Sequence, residues 1–110
     1  MQKVKLSEPI HVDGKEIKEI NLNLSLLKGR DIIAADREAR MHGVTGLNPL
    51  FTQEGLLIVA SKACGIKYDD LLQLSAPDFM DLTMRVQNFL MGLDLAVLET
   101  IETLSSPSEN

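Results

Sequence analysis

Residues 3–12 alternate: Val4, Leu6, Ile10 and Val12 share one parity, and Lys3, Lys5, Ser7 and His11 the other. A period of two is the mark of a half-buried β-strand. It leads into Asp13-Gly14, a pair suited to the positive φ angles of a tight hairpin turn, and apolar residues resume at Ile17, Ile20, Leu22 and Leu24. The chain is thereby committed to a hairpin over residues 3–24. A two-residue turn sets Ile10 opposite Ile17. Continued unbroken, that register would set Leu6 against Asn21 and Val4 against Asn23. One extra residue at Lys18 or Glu19 restores apolar pairs, Leu6 with Leu22 and Val4 with Leu24, so the spacing predicts a β-bulge there.

Two strands are marginal in water and leave two open edges. Either helices cover one face, or hairpins from neighbouring chains combine into a larger sheet, and the signals in the rest of the chain are helical. Residues 28–42 place Ile32, Ile33, Ala35 and Ala39 on one side, with Asp31 in the first turn where a negative charge suits the helix dipole. Asn48-Pro49 reads as a cap followed by proline at the first helical position, opening a helix over 49–64 that Gly65 stops. Leu56–Ala60 is apolar all round, so this helix should be the most buried element. A short turn of helix follows at Tyr68–Leu72. Ser75-Ala-Pro-Asp78 then supplies a cap, a proline and an acid at the capping-box position, starting a last helix over 76–103. Residues 105–110 lack apolar side chains and read as a flexible tail. The expected fold class is α+β: an N-terminal β-hairpin followed by three principal α-helices, in one domain over 1–104.

With three Phe, one Tyr and no Trp among 110 residues, the core has to be aliphatic. The net charge of −5 argues against nucleic acid, which needs clustered Lys and Arg to neutralise phosphates. Charge is also uneven: residues 68–110 carry only Arg85 against eight acids, so a polar partner of that third should be basic. A single cysteine, Cys64, excludes an internal disulfide and fits a reducing compartment. Behind Lys3 and Lys5 there is no apolar stretch of a secretory signal. The longest apolar run, Leu56–Ala60, falls far short of the ~20 residues of a membrane span. The expectation is a soluble, cytosolic protein that binds neither membrane nor nucleic acid.

No residue set carries catalytic chemistry. Cys64, His11 and His42 lie on three different elements, too scattered for a nucleophile pair or a metal site. Asp69-Asp70 and Asp78/Asp81 stand at helix starts, where acids serve the dipole and the cap, and Gly43-x-x-Gly46 lacks the Gly-Lys-Ser/Thr of a phosphate loop. Neither an enzyme nor a cofactor is expected.

The last helix is more telling. Phe79, Val86, Phe89, Leu90, Leu93, Val97 and Ile101 form a core-facing seam, while Met80, Met84, Met91, Leu95 and Leu98 fall largely off it. Unless the hairpin and first helix wrap both faces, the second set is left for a partner or a second copy, and methionine suits a surface that adapts to varied apolar sequences.

The order Leu6-x-x-Pro9-Ile10, Gly14-x-x-Ile17, Ala60-x-x-x-Cys64-Gly65 and Leu74-x-x-x-Asp78-x-x-x-Leu82-x-x-x-Val86-x-x-Phe89-Leu90 resembles the small tail assembly chaperones of long-tailed bacteriophages and prophages, over about residues 3–92. That resemblance implies a non-enzymatic protein in the cytoplasm of the bacterial host. It would coat the long helical tape measure protein until tail-tube subunits polymerise around it, and be absent from the mature virion. It further implies, in many members, a frameshifted C-terminal extension that contacts tail components. The homo-oligomer is expected from the residues themselves, from the two apolar faces of the last helix and the open edges of the hairpin. The alternative is a structural virion component, such as a tail-completion or head–tail joining subunit.

Overall fold

The computed structural model describes residues 2–92. Strand β1 (Gln2–Val12) and strand β2 (Lys15–Leu22) form a two-stranded antiparallel hairpin, and helices α1 (Gly29–Met41), α2 (Gln53–Cys64), α3 (Tyr68–Leu71) and α4 (Ala76–Leu90) follow, giving the α+β arrangement. Asp13 and Gly14 at the turn both have positive φ, +52° and +79°, as a tight hairpin of this hand requires. Beside the turn Ile10 pairs with Ile17.

Further from the turn the register departs from the expected one. Val4 pairs with Ile20 and Lys5 with Glu19, where Val4 was expected opposite Leu24 and Leu6 opposite Leu22. The ladder is interrupted near Lys18 as anticipated, but the excess residues lie in β1: Leu6, Ser7, Glu8 and Pro9 stand against Lys18 alone. Two things release these residues from the ladder. Pro9 has no N–H to donate, and the N–H groups of Ser7 and Glu8 go to Asp78 on α4. β2 also ends earlier than expected. The Asn23 N–H donates to the Ala63 carbonyl at 3.1 Å, drawing the chain off the ladder, and Leu24 enters the core from a 3₁₀ turn, Leu24–Leu26.

α2 is the centre of the core, with Leu56 to Ala60 each at most 2% exposed, and it contacts α1, α3, α4 and β2. The helix expected from Pro49 divides in two. Pro49–Phe51 is a 3₁₀ turn, and the cap of α2 is Thr52, which accepts from the Gly55 N–H at 3.0 Å and donates to the Pro49 carbonyl at 2.7 Å. Gly55 permits this folding back: a Cβ there would lie 2.7 Å from the Leu50 Cα and closer still to the Pro49 carbonyl oxygen. Gly65, at φ +78°, ends α2 with its N–H on the Ser61 carbonyl.

α1 packs on α2 through Ala35 and Ala39, both fully buried. Ile33, expected on the same side, is 58% exposed. It precedes Ala35 by two residues, about 200° round the helix. Asp31 closes the first turn of α1 by accepting from the Lys28 N–H at 2.8 Å.

Candidate partner-binding face

α4 is set by its inward side. Ser75 caps it, accepting from the Asp78 N–H at 3.4 Å, and Pro77 lies in the first turn. The Asp78 carboxylate does not close a capping box with Ser75. It reaches β1 instead, accepting the Ser7 N–H at 2.9 Å, the Ser7 hydroxyl at 3.1 Å and the Glu8 N–H at 3.2 Å. Burial of this side chain would raise its pKa. The Ser7 and Glu8 N–H groups and the Ser75 and Ser7 hydroxyls outweigh that and hold it below the ordinary aspartate value. One turn further, Leu82 and Val86 are fully buried and Thr83 nearly so, its hydroxyl donating to the Phe79 carbonyl at 2.9 Å. Arg85 then links Asp81 at 2.8 Å to the Gln2 side chain at 2.7 Å, tying the second half of α4 to the start of β1.

Of the expected seam, Val86 is fully buried, and Phe79 and Leu90 pack partly buried against the core. Phe89 does not join it: it is 38% exposed in the last turn, beyond Val86. The helix, expected to continue to about Thr103, ends at Leu90, with Gly92 at φ +72° donating its N–H to the Phe89 carbonyl. Leu93, Val97 and Ile101 lie outside the described residues.

The outward side holds the nominated face. Met80, Met84 and Met91 are 44%, 55% and 52% exposed, spaced so that they share one line along α4 with Gln87 between them. Gln87 Nε2 lies 3.9 Å from Met91 Sδ, which orients that side chain along the helix. Leu95 and Leu98 fall outside the described residues.

Burial pushes the Cys64 thiol up, against backbone hydrogen bonding at Ile66 and at Cys64 itself, which favours the protonated thiol over the thiolate. Among the described residues no group of three or more His, Cys, Asp or Glu could hold a metal ion, and no helix is long and apolar enough to cross a membrane.

The residues that carry the family resemblance fall on the joints of this fold. Pro9 ends the β1 irregularity, Gly14 makes the turn, Gly65 stops α2, and Leu74, Asp78, Leu82 and Val86 line the buried side of the α4 segment. None of Met80, Met84 and Met91 is among them. No curated protein and no solved structure matches the chain significantly. A family model does: phage tail assembly chaperone proteins, E, or 41 or 14, over residues 3–91. That span takes in the hairpin and helices α1 to α4 of the described residues, and the chain therefore belongs to the phage tail assembly chaperone family, with a role in building the phage tail.

Proposed function

We propose that this chain is a non-enzymatic chaperone that holds the tape measure protein in the cytoplasm of the bacterial host during tail morphogenesis and does not remain in the mature virion. The observation that carries this reading is the line of exposed methionines on α4 in a member of a tail assembly chaperone family. A tape measure protein is long and helical and exposes apolar stripes before the tube encloses it. An unbranched, polarizable Met surface accepts such stripes without demanding one sequence. Several copies along one client would add many weak contacts into a stable sheath, and the acidic C-terminal third would favour basic flanks on the client.

The test is co-expression with the tape measure protein, affinity purification and light scattering. A soluble complex with several copies per client supports the reading. A client that stays insoluble and uncomplexed overturns it, and finding this chain in purified particles would move it to the structural components of the virion.

A further inference from the structure

The two edges of the hairpin are finished differently. The outer edge of β1 is occupied by side chains from the segment joining α3 to α4 and from the first turn of α4. Gln73 accepts the His11 N–H at 3.1 Å and donates to the His11 carbonyl at 2.9 Å, and Asp78 takes the N–H groups of Ser7 and Glu8. Among the described residues the outer edge of β2 has no such cover. Because the N–H and C=O of His11 turn away from β2, those of its partner Glu16 turn away from β1. Strand alternation carries the same orientation two residues on to Lys18, which has no partner in β1. Among the described residues no side chain and no backbone group from outside the hairpin bonds to these groups, and both side chains are exposed.

We propose that β2 pairs with β2 of a second copy of this chain, antiparallel about a two-fold axis at Ile17, making a four-stranded sheet. The order Lys15-Glu16-Ile17-Lys18-Glu19 is complementary to itself about that point. Glu16 of one copy faces Lys18 of the other, Lys15 faces Glu19, and every charge on the edge meets its opposite. Neighbouring registers lose this. Moving the axis to Glu16 or Lys18 sets that residue against itself, and a half-residue slip opposes Lys15 with Lys18 or Glu16 with Glu19. The backbone agrees with the charges, because Glu16 and Lys18 carry the outward N–H and C=O groups that the hydrogen-bonded pairs need, with Ile17 as the non-bonded pair between them. The Lys18–Glu16 ion pair within one strand, at 3.6 Å between side chains 76% and 48% exposed, is loose enough to exchange for pairs across the axis. The association is closed. Gln73 and Asp78 already cover the far edge of each β1, so the sheet stops at four strands.

Sedimentation equilibrium on the full chain over a concentration series tests this. The unmodified protein should dimerise. Lys18→Glu and Glu16→Lys each set like charges opposite one another twice per dimer and should weaken association about tenfold. Mixing the two single variants should restore it as a heterodimer, and the Glu16→Lys/Lys18→Glu double variant should dimerise alone, while circular dichroism stays unchanged throughout. An unmodified protein that remains monomeric overturns the proposal, as do single variants that associate as tightly as the original or a mixture that fails to pair.

Discussion

The two sides of α4 differ in how much of their chemistry is already satisfied. On the inward side each polar group has a named partner: Asp78 holds Ser7 and Glu8, Thr83 returns to Phe79, and Arg85 bridges Asp81 and Gln2, around the buried Leu82 and Val86. On the outward side Met80, Met84 and Met91 stand half exposed along one line. The inward side demands one geometry, since a carboxylate fitted to two N–H groups of an interrupted strand tolerates little displacement. The outward side demands almost none. On the proposed function, a helix fixed on one side and adaptable on the other would serve as a rigid handle for a changing client.

The sharpest way to break the contrast is to remove inward packing. Leu82→Ala empties a fully buried site between α4 and the core and should cost about 3 kcal/mol. Urea unfolding would show this as a lower midpoint with an unchanged slope.

Asp78→Ala should cost about 2 kcal/mol. The loss stays in this range because Ser7 and Glu8 are exposed, and water can take over their freed N–H groups. The pH dependence separates this carboxylate from generic packing. Its folded pKa lies below the unfolded one, so its contribution is complete above about pH 4 and fades as pH falls through the folded value. Between the two values the unfolded chain binds more protons, and stability rises with pH. Asp78→Asn should therefore flatten that part of the acid unfolding curve, while Leu82→Ala shifts the whole curve and leaves its shape.

A smaller effect is expected at Gln73, whose exposed carboxamide completes the β1 edge through two hydrogen bonds to His11. Gln73→Ala should cost under about 1 kcal/mol and speed amide hydrogen exchange at His11 while leaving Ile10 unchanged.

These residues also separate what the sequence reveals from what it hides. The alternation in β1, the Asp13-Gly14 turn, the uniformly apolar Leu56–Ala60 and the Gly65 stop are local patterns, and each appears where its spacing places it. The register of the hairpin is not local. Asp78 lies seventy-one positions from Ser7, and a capping-box acid carries no mark that its carboxylate will serve a strand. A polar Ser-Glu-Pro insert in an alternating strand was the available sign that β1 would hold the excess residues. Thr52 and Gly55 were hidden likewise: Asn48-Pro49 is a sound start signal, but the chain needs a second start because the 3₁₀ turn folds back on α2. The outward methionines were visible from periodicity alone, which assigns exposure and not a partner.

Met84→Asp should have the smallest effect on folding and, on the proposed function, the largest on binding. Met84 is 55% exposed and makes no part of the buried core, so the change should stay within about 0.5 kcal/mol, mostly the poorer helix propensity of aspartate. On the binding side it puts a charge in the middle of an apolar contact line, where docking an apolar helix would strip its water. Capture of the tape measure protein in co-expression should fall while the unfolding midpoint stays near that of the original chain. The informative control is Met84→Leu, which keeps the apolar area but gives up the unbranched thioether. If it captures client as well as Met84 does, apolar area is what α4 supplies. A loss with Leu would instead assign the role to the adaptability of methionine, and Met80→Leu should then show the same deficit.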